Sequence, residues 1–252
     1  MTATVSGTRP AVRPRWAGLL ARPALIVLGL LVLWWWAANQ PLDSIEARNV
    51  NGDVIGFQVL EHVELTVICT ALTIAIAIPL GIAVTLSRSR TGRLAVLGLG
   101  NLGQAIPSVG LIVLLALVIS IGVGTAVIAL VAYAVLPVLR NTMVGIEGVD
   151  PVLTEAARGM GLSRFAVLLT VELPLAVPVI LAGVRTALVL TVASAPLAAL
   201  IDGGGLGGGL FTGLSLNRPV ISVTFGVLVA ALALLADWLG LLAETLLRPK
   251  GI

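Results

Sequence analysis

Six long apolar runs, at 24–38, 59–86, 94–121, 125–139, 173–200 and 220–247, are separated by short segments that hold nearly all of the charge. A helix needs about 20 apolar residues to cross a bilayer. The first run is short for a span, and residues 16–22 can extend it. With 58% hydrophobic and 11% charged residues, the chain is a polytopic membrane protein and not a soluble globule. The fold class is all-α, with about six transmembrane helices.

The same inventory excludes several kinds of chemistry. One cysteine, Cys69, lies inside an apolar run and one histidine, His62, near the start of another, so no disulfide framework and no Cys/His metal site is expected. No cofactor is expected either. The net charge of +3 suggests no nucleic acid, because the basic residues are spread over short loops. The only lysine is Lys250, two residues from the end, which leaves no Walker A loop and hence no ATP hydrolysis by this chain. The glycine run from Gly203 to Gly209 is followed by Leu210-Phe211 rather than Lys-Ser/Thr, and reads as a flexible or tightly turned outer loop.

Taken in order, residues 1–22 read as a basic, disordered cytoplasmic tail, and 23–58 as an N-terminal transmembrane helix with an extracytoplasmic loop. Residues 59–247 form the main membrane domain, and 248–252 a second cytoplasmic tail. A basic tail before an apolar run also fits a cleaved signal peptide, although Trp34-Trp35-Trp36 is a poor small-residue cleavage signal. Successive helical residues point 100° apart, so these three tryptophans cannot line one aromatic cage and belong to an interfacial belt. Twelve basic residues fall on one side of the runs: Arg9, Arg13, Arg15, Arg22, Arg88, Arg90, Arg93, Arg140, Arg158, Arg164, Arg248 and Lys250. Two, Arg48 and Arg218, fall on the other, and Arg185 lies within a run. The positive-inside rule places both termini in the cytoplasm.

Two places inside the runs are polar. Gln104-Ala105-Ile106-Pro107-Ser108 interrupts the third, and proline frees a carbonyl that needs a partner. Such breaks are tolerated within protein or beside water, so Gln104, Pro107 and Ser108 either line a translocation pathway or form a packing kink. Arg185 lies eleven residues after Pro174 and Asp237 ten before Leu247. At 1.5 Å per residue both are roughly 15 Å deep. A charge there costs roughly 2.5–3.5 kcal/mol. The two are expected to form a buried ion pair, with separate partners for each as the alternative and a pathway role for Arg185 less favoured.

The loop at 142–172 is the least apolar part of the second half. Asp150-Pro151 is a helix start, Gly159 and Gly161 end that helix, and Ser163 can cap a second short one before Pro174. Glu155-Ala156-Ala157, Gly161 and Val171-Glu172-Leu173-Pro174 recur at the spacing of the EAA loop, E-A-A-x3-G-x9-I-x-L-P, and this stretch resembles that loop of ABC-importer permeases. The one departure is Val171 in place of isoleucine. The resemblance implies that Glu155, Ala156, Ala157 and Gly161 belong to a coupling helix seated in a groove of a cytoplasmic ATPase.

Residues 101–209 are similar to the osmoprotectant branch of these permeases. The carriers are Gln104-x-x-Pro107-Ser108, Leu136-Pro137-x-Leu139-Arg140-Asn141-Thr142, Gly148-Val149-Asp150-Pro151, the EAA segment and Ala198-Ala199-Leu200-Ile201. The resemblance implies a MetI-like type I core of five helices plus one N-terminal helix in a bacterial inner membrane, and import of glycine betaine, choline or carnitine. It also implies an ATPase subunit, a separate extracytoplasmic binding protein and a second permease, either a copy or a sister chain. A permease for a sulfonate or an amino acid, and a membrane scaffold without transport, are the alternatives.

Overall fold

The computed structural model describes residues 15–87 and 90–247, the first five of them as backbone only. Eleven α-helices and no strand occur among the described residues: α1 (Arg15–Ala38), α2 (Ser44–Asn49), α3 (Gly52–Ser87), α4 (Arg90–Ala105), α5 (Ser108–Val118), α6 (Val123–Glu147), α7 (Pro151–Gly159), α8 (Arg164–Val167), α9 (Leu173–Ser194), α10 (Gly207–Ser215) and α11 (Pro219–Leu246). Five helical stretches are long and apolar enough to cross a membrane, and the bent pair α4–α5 makes a sixth if counted as one span. The remaining residues of the two tails, with Arg9, Arg13, Arg248 and Lys250, and also Arg88, lie outside the described residues.

Helix α6 is the centre. It packs on α3, α9 and α4, while α11 packs on α9, α10 and α1. One apolar cluster joins Leu65 and Cys69 to Ile112, Ala129, Leu130 and Ala198, and a second joins Ala77 to Ala134, Val138, Met143 and Ala187. A third, Ile146, Leu168, Ala176 and Ile180, lies beneath the loop that follows α6. Small residues set the approach distances, and Gly183 of α9 lies against Asn141 and the Pro137 carbonyl of α6.

Several boundaries differ from those read in the sequence. The first helix begins at Arg15, so the end of the expected tail is helical: residues 16–21 are mostly apolar and continue the run. The outer polar loop contains α2, held by a capping box in which Asp43 accepts from Ile45 and Glu46 while Glu46 caps the Asp43 amide. Helix α3 begins seven residues before the expected position 59, because Asn51 accepts from the Val54 amide and starts the helix early. The third run is not one span. Its two halves meet at 101°, since Pro107 takes an extended ψ of 132° and cannot continue α4. The fifth begins at Arg164 rather than 173. Pro174 has no N–H to give Thr170, and the turn before it opens to a wider π spacing in which Leu173 donates to the Leu168 carbonyl, so α8 runs on into α9.

Of the two forms expected for the glycine run, flexible or tightly turned, it takes the second: Gly203, Gly205, Gly207 and Gly209 are buried, and α10 starts within the run. Two side chains of α3 hold it, with Gly205 donating to Glu61 at 3.0 Å and Gly209 to Gln58 at 2.9 Å.

Candidate functional site

Three groups of residues carry chemistry, and the loop between α6 and α9 is the first. Asp150 accepts from the Val152 amide at 2.9 Å and Pro151 occupies the first turn, where its missing N–H costs nothing. Helix α7 ends at Gly159. The chain reverses at Gly161, φ +87°, with Gly161 and Leu162 donating to the Arg158 and Ala157 carbonyls. A Cβ on Gly161 would meet nothing within 4 Å, so the glycine answers a backbone requirement and not a lack of space. Ser163 then caps α8 through the Ala166 amide.

Within α7, Ala157 is buried while Glu155, Ala156 and Gly159 face outward, as does Met160 just after it. Exposed Val152, Met160 and Phe165 add an apolar outer surface to the loop. Its inner side is tied to the spans: Arg164 donates to the Leu86 carbonyl at the end of α3, and Leu168 sits in the cluster with Ile146 and Ala176. Glu155, Ala156, Ala157 and Gly161 thus lie on one rigid hairpin whose base is continuous with the core.

The break at Gln104 is the second group. Gln104 Nε2 donates to the Tyr133 carbonyl of α6 at 3.2 Å. That carbonyl would bond to the amide of residue 137, which is Pro137 and has none. Gln104 therefore caps a carbonyl that proline orphans. Two further ties run along the same antiparallel pair, Asn101 to Arg140 and Arg93 to both carboxylate oxygens of Glu147. Residues 133, 140 and 147 are seven apart and share one face of α6. Pro107 is exposed and Ser108 half-buried at the bend.

The same device recurs where sequence reading attached no function. His62 on α3, 1% exposed, has its Nε2 3.1 Å from the Val192 carbonyl. Val192 is four residues before Pro196 and lacks its helical partner for the same reason. A carbonyl only accepts, so Nε2 carries the proton, and Nδ1 has no partner among the described residues. The signal that finds both pairs is a proline in an apolar run together with a buried polar residue in another run.

The third group is a charge cluster. The structure brings Arg185 and Asp237 together: Arg185 Nε is 2.7 Å from Asp237 Oδ1. Sequence reading missed two members. Arg22 of α1 reaches Asp237 Oδ2 at 2.5 Å, and Glu244, two turns along α11, lies 3.6 Å from Arg185. Two arginines face two carboxylates, so the cluster is neutral. Gly240 makes room for it, since a Cβ there would sit 2.7 Å from the Arg185 stem. Arg22 reads in the sequence both as the end of the basic tail and as part of the stretch that can extend the first run, and it belongs to α1.

Among the described residues no group of three or more His, Cys, Asp or Glu side chains has the arrangement to hold a metal. The three groups share one feature: charged or polar side chains pair with a charge or a backbone carbonyl of another helix. Residues 77–248 match the family of binding-protein-dependent transport system inner membrane components, and the chain belongs to that family. The glycine betaine/carnitine/choline transport system permease protein OpuCB of Bacillus subtilis is 38% identical over 85% of this chain and 96% of its own length. The choline transport system permease protein OpuBB of the same organism is 36% identical over 82% and 95%. The osmoprotectant import permease protein OsmW of Salmonella typhimurium is 34% identical over 84% of this chain and all of its own. Among solved structures, an inward-facing form of the MetNI methionine ABC transporter matches with a TM-score of 0.66 at 21% identity, over 77% of this chain and 96% of that one. An amino acid ABC transporter solved with histidines matches at 0.67 and 16%, over 82% and 99%. The fold is the MetI-like ABC permease fold, in a multi-pass bacterial membrane protein.

Proposed function

We propose that this chain is the permease of an ATP-driven importer for quaternary-ammonium osmoprotectants such as glycine betaine, choline and carnitine. The observation that carries the reading is the coupling hairpin: the EAA residues stand on a rigid turn of the right chemistry, in a chain 34–38% identical to permeases named for these solutes. Hydrolysis of ATP belongs to a separate cytoplasmic subunit that receives α7. A separate extracytoplasmic binding protein delivers the solute, and a second permease, a copy or a sister chain, completes the pathway. Both termini are cytoplasmic, a reading that the distribution of arginine over the loops supports.

The mechanism follows from the hairpin. Its outer side, with Glu155, Ala156 and Met160, meets the ATPase. Its inner side, with Ala157, Arg164 and Leu168, belongs to the core formed by α3, α6 and α9. Closure of the ATPases displaces the hairpin, and the displacement passes into three spans at once. Alternating access is then a two-state equilibrium biased by the nucleotide. The solute's ammonium charge cannot be shed, so its path is wet or lined by polar and aromatic groups. Gln104, Pro107 and Ser108 stand at the bend as candidates for part of that lining.

The test is uptake in an osmosensitive strain lacking its own betaine systems, with this chain expressed beside its ATPase and binding protein. Labelled glycine betaine, choline and carnitine are expected to accumulate, and labelled taurine and methionine are not. Preferred uptake of taurine or methionine would replace the solute class. Absence of any uptake, together with no co-purified ATPase, would leave a scaffold.

A further inference from the structure

A cavity of about 480 Å³ opens between the inner side of the coupling helix and the ends of the spans, where α3 stops, α4 starts and α6 stops. Among the described residues its charged lining is Arg90, Arg93, Arg158 and Arg164 with Glu147 and Glu172, four cations against two anions, a net charge of +2. Glu147 is consumed by Arg93, which holds both its oxygens. Arg164 spends one nitrogen on the Leu86 carbonyl. Arg90 and Arg158 have no acidic partner among the described residues. Two guanidinium groups lining one cavity repel each other, and an anion between them turns that repulsion into attraction.

We propose that this cavity binds a phosphate group. Guanidinium is planar and presents paired donors that match phosphate oxygens, and a pair of arginines with a net charge of +2 suits one such anion. The level is that of the helix ends, where phospholipid headgroups lie, and basic pockets between helix ends are where anionic headgroups bind. The phosphate comes from a lipid headgroup or from a free cytosolic anion; the chemistry at the arginines is the same. Geometry favours either over an acidic side chain of the ATPase. Pro151, Thr154 and Arg158 line the cavity at helical spacing, on the side of α7 adjoining buried Ala157. Val152, Ala156 and Met160 occupy the opposite, exposed side, which is the one free for a protein.

The test uses the purified full chain and the variant R90Q/R158Q, with R48Q as a control outside the cavity. In one arm, sodium phosphate is titrated in detergent at constant ionic strength, and the melting temperature is read. In the other, the chain is reconstituted in phosphatidylcholine vesicles with and without phosphatidylglycerol and melted in the same way. Wild type and R48Q are expected to show a saturable rise in at least one arm, and the apparent affinity is expected to fall about tenfold for each arginine removed. A rise with phosphate alone assigns the free anion, and a rise with phosphatidylglycerol alone assigns the headgroup. If R90Q/R158Q yields no folded protein, the single variants R90Q and R158Q carry the same comparison. An equal rise in wild type and R90Q/R158Q overturns the proposal, as does no rise in either arm. A rise that requires the added ATPase subunit also overturns it, and gives the arginines to protein docking.

Discussion

Two glycine-bearing regions look alike in the sequence and are held for opposite reasons. In the hairpin between α6 and α9, Gly161 has φ +87° and open space around it, so any side chain fits while the backbone resists. In the run at 203–209, Gly207 and Gly209 have ordinary helical backbone but no space. A Cβ on Gly207 would lie 1.9 Å from the Pro196 carbonyl oxygen, and one on Gly209 would lie 2.3 Å from the Phe225 ring. The first is a local rule that a turn obeys wherever it occurs. The second exists only because three distant segments meet, and nothing within the run announces it.

The sharpest way to break the contrast is Gly207→Ala. The added methyl meets backbone, which cannot swing aside, so the loss is expected at or above the usual overpacking range of about 1–3 kcal/mol. Thermal melting of the purified chain, or the yield of folded protein, measures it. Tolerance comparable to Gly208→Ala, where a Cβ would lie 3.4 Å from Gln58, would show that the segment is not tightly packed.

Charge gives the next effect. Asp237→Asn removes the carboxylate that Arg22 and Arg185 share, and because these side chains are 22–41% exposed the loss is expected below the roughly 3–5 kcal/mol of a fully buried pair. Replacing Arg22 as well by Gln relieves part of that loss, so R22Q/D237N is expected to melt above D237N. The reverse order would mean that α1 is not joined to the cluster. Gln104→Leu comes third. It strands the Tyr133 carbonyl at a cost of about 1–3 kcal/mol, and returning an amide donor with Pro137→Ala in the same chain is expected to restore stability. If Q104L melts like wild type but lowers uptake, Gln104 serves the pathway rather than the fold.

Gly161→Ala is milder. The left-handed backbone costs a side chain about 1–2 kcal/mol, confined to an exposed turn. The protein is expected to stay folded and inserted while coupling falls, read as uptake per molecule of ATP hydrolysed. The smallest effect concerns pH at the outer surface. The backbone bond from Glu46 and then that from Ile45, with Arg218 nearby, hold the Asp43 carboxyl below its ordinary value of 3.8. A depressed carboxyl stabilises the fold fully above that value, and the contribution is lost as pH falls through the lower folded pKa. The protection factor of the Ile45 and Glu46 amides, taken relative to the intrinsic exchange rate at each pH, is expected to be steady above about pH 4 and to fall below it.

What the sequence disclosed divides along the same line. The caps at Asp150 and Ser163, the reversal at Gly161 and the break at Pro107 are local, and each was legible because residue type alone imposes the conformation. The burial of the glycine run, the 101° bend and the place of Arg22 were not. Each depends on what another helix presents, and an arginine at the end of a basic stretch looks the same whether it ends a tail or begins a span. Arg185 and Asp237 lie between these cases, since depth along two antiparallel spans could be counted while the third and fourth members of their cluster could not.

The two orphaned carbonyls bear on how the chain is made. In each pair the capping side chain precedes the carbonyl, Gln104 before Tyr133 and His62 before Val192. Chains emerge from the ribosome amino end first. The helix carrying the donor is therefore synthesised before the proline-kinked helix that needs it. Neither carbonyl has to wait in lipid for a partner still to be translated.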